Sequence, residues 1–223
     1  MTDARDSDAP MSLILIHRVI SRSLEVGTRY TETFAREGYP DAATGAGFAL
    51  YLQMLAGTLH VHHSAEDAIA FPFLRPRLPD LPFDALTAEH EQMTAILEEM
   101  VPSLEQLHGE AGEGPVLTAA HGALTRLALI WPGHIDVEET DISVKKLQVV
   151  ASAEEIAGWL QEMGRHRPEG APPDPVLLPF ILYNLSAEDR AIMAQQMPPA
   201  VSQELVPIVW KEQWAPMVPF LLD

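Results

Sequence analysis

Four stretches of this chain carry apolar side chains at intervals alternating between three and four, and this spacing limits its folding more than any other feature. The period matches the turn of an α-helix and lays one apolar stripe along each segment. The first expected helix covers 11–37, with Leu13, His17, Ile20, Leu24, Thr31 and Phe34 on its stripe. After the break at Gly38-Tyr39-Pro40-Asp41, a second covers 45–74, with Phe48, Leu52, Leu55, Leu59, His62, Glu66, Ile69 and Phe73. Pro76, Pro79 and Pro82 end it. A third, 83–108, repeats the pattern with Phe83, Leu86, His90, Met93, Leu97, Met100, Leu104 and Leu107. The fourth, 116–147, carries Leu117, Ala120, Leu124, Leu127, Trp131, His134 and Glu138, with Pro132-Gly133 expected to kink it.

Strand signals are nearly absent, with no sustained two-residue alternation. Four long helices joined by short breaks predict an all-α fold, an antiparallel up-down-up-down four-helix bundle over 11–150. A disordered start at 1–10 precedes it and a helical C-terminal extension at 151–223 follows. In the extension, Ser152 and Glu155 read as a capping box, residues 164–175 as a Pro/Gly-rich linker, and Ser186 as a further cap.

Composition narrows the function. With 47% apolar residues in 223, one core of ordinary size is available. Thirty-two acidic against 14 basic side chains leave a formal charge of −18, which argues against nucleic-acid partners. Zero cysteine excludes disulfides, thiolate metal sites and cysteine nucleophiles. The acidic start lacks the basic region of a secretory signal. Residues 42–65 hold no Asp, Glu, Lys or Arg, but Gln53, His60, His62 and His63 and the periodic apolar residues favour a buried helix over a membrane span. A cytoplasmic location is expected.

The stripes also contain residues that a core does not tolerate by itself. His17, His62, Glu66, His90, His134 and Glu138 stand where apolar side chains should, and burying one unpaired carboxylate costs several kcal/mol. Counting along the helices from the breaks at about 1.5 Å per residue brings the four histidines to one level. Glu66 and Glu138 fall one turn further along two helices expected to run in the same direction. Four imidazoles and two carboxylates converging in an apolar bundle form a donor set for two first-row metal ions, and nitrogen and oxygen donors suit iron. His63, beside His62, is a further candidate donor; with Asp67 four residues on, it could equally support the site from behind. Ile20, Leu59, Met93 and Trp131 form the adjacent apolar layer. His60, His108, His121 and His166 fall off the shared level and read as surface or structural.

The pattern resembles the hemerythrin-like family, or HHE cation-binding domains. The residues that carry the resemblance are the first-helix histidine, His62-His63-x-x-Glu66 followed by Phe71-Pro72, Glu89-His90, and His134-x-x-x-Glu138-Glu139. The similarity covers about 11–147. It implies a pair of non-haem irons with bridging carboxylates and an oxo or hydroxo bridge. His17, His62, His90 and His134 would be terminal donors, and Glu66 and Glu138 bridges. The oxygen-carrying members have a fifth histidine on the third helix, where this chain has Leu86 and Thr94, and their last pair is five apart, a spacing Glu139 restores. Six donors plus the bridging oxygen fill about ten of twelve octahedral positions, leaving room for a small molecule.

Three readings fit: a protein that binds or reacts with O₂, peroxide or nitric oxide; an enzyme that activates O₂ on a small organic molecule or disproportionates peroxide; or a zinc or mixed-metal bundle of purely structural use. The apolar stretches 176–185 and 201–222 could cap the bundle, shape a pocket or form a homodimer interface.

Overall fold

In the computed structural model, which describes residues 9–110 and 112–223, the chain is all-helical, with no strand among the described residues. The expected disordered segment 1–10 lies outside them except for Ala9 and Pro10. Four long helices form the body: α1 (Met11–Glu37), α2 (Ala42–Ala65), α4 (Phe83–Leu104) and α5 (Gly114–Asp141). A short α3 (Phe71–Leu74) continues the line of α2 after an intervening π-helical turn, Glu66–Ala70. Helix α1 packs along both α5 and α2, and α4 along both α5 and α2, so the four close on one another.

The sequence explains most boundaries. Asp41 caps α2 by accepting from the Thr44 N–H at 2.7 Å. Gly38 ends α1 at φ 77°, a conformation side chains with a Cβ resist. Pro115 sits in the first turn of α5, where its missing N–H costs nothing. Helix α5 continues through Pro132 to Asp141, shorter than the expected end at 147. Ile142 interrupts it, and Ser143 caps a new helix, α6 (Val144–Val150).

The second stripe is displaced where the π turn lies. Continuous α-helical spacing places Ile69 and Phe73 in the core, but the buried residues are Ala70, Phe71 and Leu74, while Ile69 and Phe73 are half-buried. A π turn holds one residue more than an α turn; here the Phe71 N–H bonds the Glu66 carbonyl, five residues back. Every side chain beyond it therefore moves on by one position.

The extension comprises α7 (Ala153–Arg165), α8 (Asp174–Tyr183), α9 (Ala187–Gln195), a π-helical stretch Val201–Val209, α10 (Lys211–Trp214) and a 3₁₀ segment Ala215–Phe220. The Ser152/Glu155 capping box and the Ser186 cap form as expected. The 3₁₀ segment and α8 cover α2. A Cβ on Gly47 would lie 2.0 Å from the Pro216 carbonyl oxygen, and one on Gly57 2.1 Å from the Pro172 ring. Helix α2 is thus enclosed by the bundle on one side and the extension on the other, which accounts for its lack of charge. No helix of the described residues is long and apolar enough to cross a membrane.

Two apolar clusters result. The larger runs from Leu15 and Val19 through Leu55, Met93 and Leu124 to Phe180 and Phe220. The smaller gathers Phe71, Leu74, Phe83, Leu86, Ile142, Leu147 and Trp159. The polar residues of the stripes stand between these two.

Candidate metal centre

Seven side chains meet at that level: His17 from α1, His62 and His63 from α2, Glu66 from the π turn, His90 from α4, and His134 and Glu138 from α5. None is more than 6% exposed. His17 Nε2 lies 3.2 Å from Glu138 Oε2, and His62 Nε2 lies 3.3 Å from Glu66 Oε2. His90 Nε2 stands 3.5 Å from the same Glu66 oxygen, and His134 Nε2 3.5 Å from Glu138 Oε1. The His63 ring stacks on the His90 ring, with centroids 4.2 Å apart and planes at 16°.

Proximity does not satisfy these atoms. His17 Nε2, His62 Nε2, both ring nitrogens of His63, Glu66 Oε2 and both oxygens of Glu138 are buried without a hydrogen-bond partner. So many orphaned buried polar atoms in one place need a common partner. His90 and His134 make the same point differently. Each Nδ1 lies 2.9 Å from a carboxylate, Asp67 and Glu89 respectively, and an ionised carboxylate only accepts. In the neutral form of each ring this contact places the proton on Nδ1, which sets the two Nε2 lone pairs against each other at 3.1 Å. A cation between them relieves that opposition.

The donors fall into overlapping groups. His17, His62, Glu66 and Glu138 offer atoms within 4.8 Å of one another, as do Glu66, His90, His134 and Glu138, and as do His63, His90 and His134. The two glutamates belong to both sides. The chemistry of this set, imidazole nitrogen and carboxylate oxygen without sulfur, fits borderline and hard divalent or trivalent ions.

Burial, and then the neighbouring imidazoles, drive the pKa of His62 and of His63 well below the ordinary value, so both rings are neutral. At His17 burial acts the same way, but Glu138 and Glu139 outweigh it and the pKa is raised. Burial, with Glu138 and Asp67 adding to it, holds the Glu66 carboxyl well above the usual carboxylate range. Burial also opposes ionisation of Glu138, but His17, His134 and His90 outweigh it and lower its pKa. The two glutamates are thus pushed in opposite directions, Glu66 toward the protonated form and Glu138 toward the ionised one.

Trp131 closes one side, with its ring centroid 5.5 Å from His17, 5.8 Å from His62 and 5.9 Å from His134. Its Nε1–H donates to Ser21 Oγ at 2.8 Å, and its outer edge lines a cleft of about 480 Å³ between α1 and α5. The other histidines are elsewhere. His60 meets the Glu169 carbonyl, His121 the Thr28 carbonyl, and His166 the Ser64 hydroxyl.

Sequence spacing left open whether His63 faces the centre; the structure brings it in. Asp67, Glu89 and Glu139, which touch the histidines from behind, each adjoin a centre residue in sequence, and that adjacency was the available signal.

An all-helical protein with buried imidazoles and carboxylates converging on one level is of a cation-binding class. The family model for the hemerythrin HHE cation-binding domain matches residues 13–143, and the chain belongs to that family. Neither curated proteins nor solved structures gave a match to the chain.

Proposed function

We propose that the centre holds two iron ions joined by an oxo or hydroxo bridge, and that the protein binds or reacts with O₂, peroxide or nitric oxide. The observation that carries this reading is the sharing of Glu66 and Glu138 between two groups of buried, unpartnered donors. Helices α2 and α5 supply donors to both sides, while α1 gives His17 to one and α4 gives His90 to the other. His17 and His62 would hold one ion, and His63, His90 and His134 the other, with the two glutamates spanning both. His63 then takes the part of the fifth histidine that the third helix lacks.

Counting positions favours small diatomic or triatomic partners. Five imidazoles, two carboxylates shared by both ions and one bridging oxygen occupy about eleven of twelve octahedral positions. The remaining one would fall to the ion that His17 and His62 would hold. Iron supplies redox chemistry and a site for a small oxygen or nitrogen ligand. The chain's own residues keep the centre dry: Trp131, Ile20, Leu59 and Met93 shut out bulk water, and an acidic surface suits a cytoplasmic setting.

Metal analysis of the purified protein should give about two irons per chain, with near-ultraviolet ligand-to-iron charge-transfer absorption. Stoichiometric zinc without iron would sink the reading. Turnover of peroxide by the iron-loaded protein would favour the enzyme over the carrier.

A further inference from the structure

Three carboxylates outside the centre form a regular pattern. Asp67 Oδ1 lies 2.9 Å from His90 Nδ1, Glu89 Oε2 lies 2.9 Å from His134 Nδ1, and Glu139 Oε1 lies 2.9 Å from His17 Nδ1. Each contact crosses from one helical segment to the next: the π turn to α4, α4 to α5, and α5 to α1. Each of these acids also adjoins a centre residue in sequence, Glu66, His90 and Glu138 respectively. One helix thus sends a histidine or glutamate inward and, one residue away, a carboxylate sideways to the neighbouring helix's imidazole.

We propose that Asp67, Glu89 and Glu139 are positioning residues that lock the proton of each imidazole on Nδ1, aim Nε2 at the metal and raise its electron density. The inference rests on the metal-binding reading above. Two physical points support it. An ionised carboxylate cannot donate, so its contact with Nδ1 fixes the neutral ring's tautomer and leaves the Nε2 lone pair free. A negative charge beside Nδ1–H also makes the imidazole a stronger donor, which favours the more oxidised metal. The three acids reach the surface, with side chains 41%, 37% and 22% exposed, whereas the rings they hold are buried. They therefore reach water while acting on a dry site, unlike the buried Glu66 and Glu138.

The pattern also orders the fold. Each hydrogen bond spans a seam between two helical segments, so metal, imidazole and carboxylate together tie the π turn, α4, α5 and α1. Among the described residues the seam between α1 and α2 shows no such carboxylate contact, and there His17 and His62 meet edge to face, 5.1 Å apart.

The test uses the full-length protein loaded anaerobically with Fe(II). Release of iron to an excess of chelator should be about 10–100-fold faster in Glu89→Ala than in the parent. Glu89→Gln, which keeps an acceptor for Nδ1–H but removes the charge, should release iron within a few-fold of the parent. Its reduced-to-oxidised ratio at fixed potential should rise about tenfold, a shift of 59 mV for a one-electron couple. Glu91→Ala, an exposed acid on the same helix, should change neither value. Parent-like release from Glu89→Ala would overturn the positioning role. An unshifted potential in Glu89→Gln would overturn the electronic one, and that arm stands even where the alanine variant fails to fold. A parent protein that takes up no Fe(II) would instead remove the metal reading itself.

Discussion

The two halves of the centre are built from the same pair of glutamates but differ in their imidazoles. One half has His17 and His62, against Trp131 and the cleft between α1 and α5. The other has His63, His90 and His134; rings in both halves contact a carboxylate through Nδ1, His17 in the first and His90 and His134 in the second. The difference shows how a bundle makes an asymmetric site from nearly equivalent helices. Helix α2 contributes adjacent histidines, and neighbours in an α-helix point about 100° apart, so His62 turns to one half and His63 to the other.

The largest effect should come from what the halves share. Glu138→Ala should abolish binding of both ions, measured as metal per chain after loading, because both groups lose a donor. Retention of one ion would show that Glu138 belongs to one half only. His63→Ala should be next: one ion kept and the other bound at least about tenfold more weakly. Unchanged content would move His63 out of the donor set. His121→Ala, a ring bonded to the Thr28 carbonyl, should leave both ions in place.

Lowering the pH should separate the halves with both glutamates intact. The raised pKa of His17 means its ring is charged below that value, and a charged imidazole cannot bind a metal. Burial holds His63 and His134 below the ordinary imidazole value, so they stay neutral to lower pH. Metal should therefore leave in two steps as pH falls, first from the half with His17 and then from the half with His63. At near-neutral pH, uptake should release protons, from Glu66 and from His17, readable by calorimetry in buffers of different ionisation enthalpy. A single simultaneous loss would deny the asymmetry.

Much of this was legible in the chain. Six polar residues on apolar stripes point to a centre because their burial is too costly to be incidental, and the stripes point to helices because their period is unambiguous. Two things were not legible. The π turn at Glu66–Ala70 shifts the register by one, and its only sequence mark is Pro72, which has no N–H to continue an α-helical ladder. The enclosure of α2 was also hidden. Gly47 and Gly57 look like poor helix residues until the Pro216 carbonyl and the Pro172 ring are seen against them.

That enclosure supplies the smallest expected effect on the centre. A Cβ at Gly47 meets a backbone oxygen, which cannot rotate away as a side chain would, so Gly47→Ala must push the 3₁₀ segment outward. Phe220 would then lose its packing against Phe48, Tyr51 and Tyr30. The expected cost is about 1–3 kcal/mol, as for other overpacked positions, read as a lower denaturation midpoint. Metal content should stay unchanged, because Gly47 lies fifteen positions before His62, about 22 Å along the helix. If metal is lost together with the extension, the covering segments do more than pack: they hold α2 in the orientation that lets His62 and His63 face opposite halves.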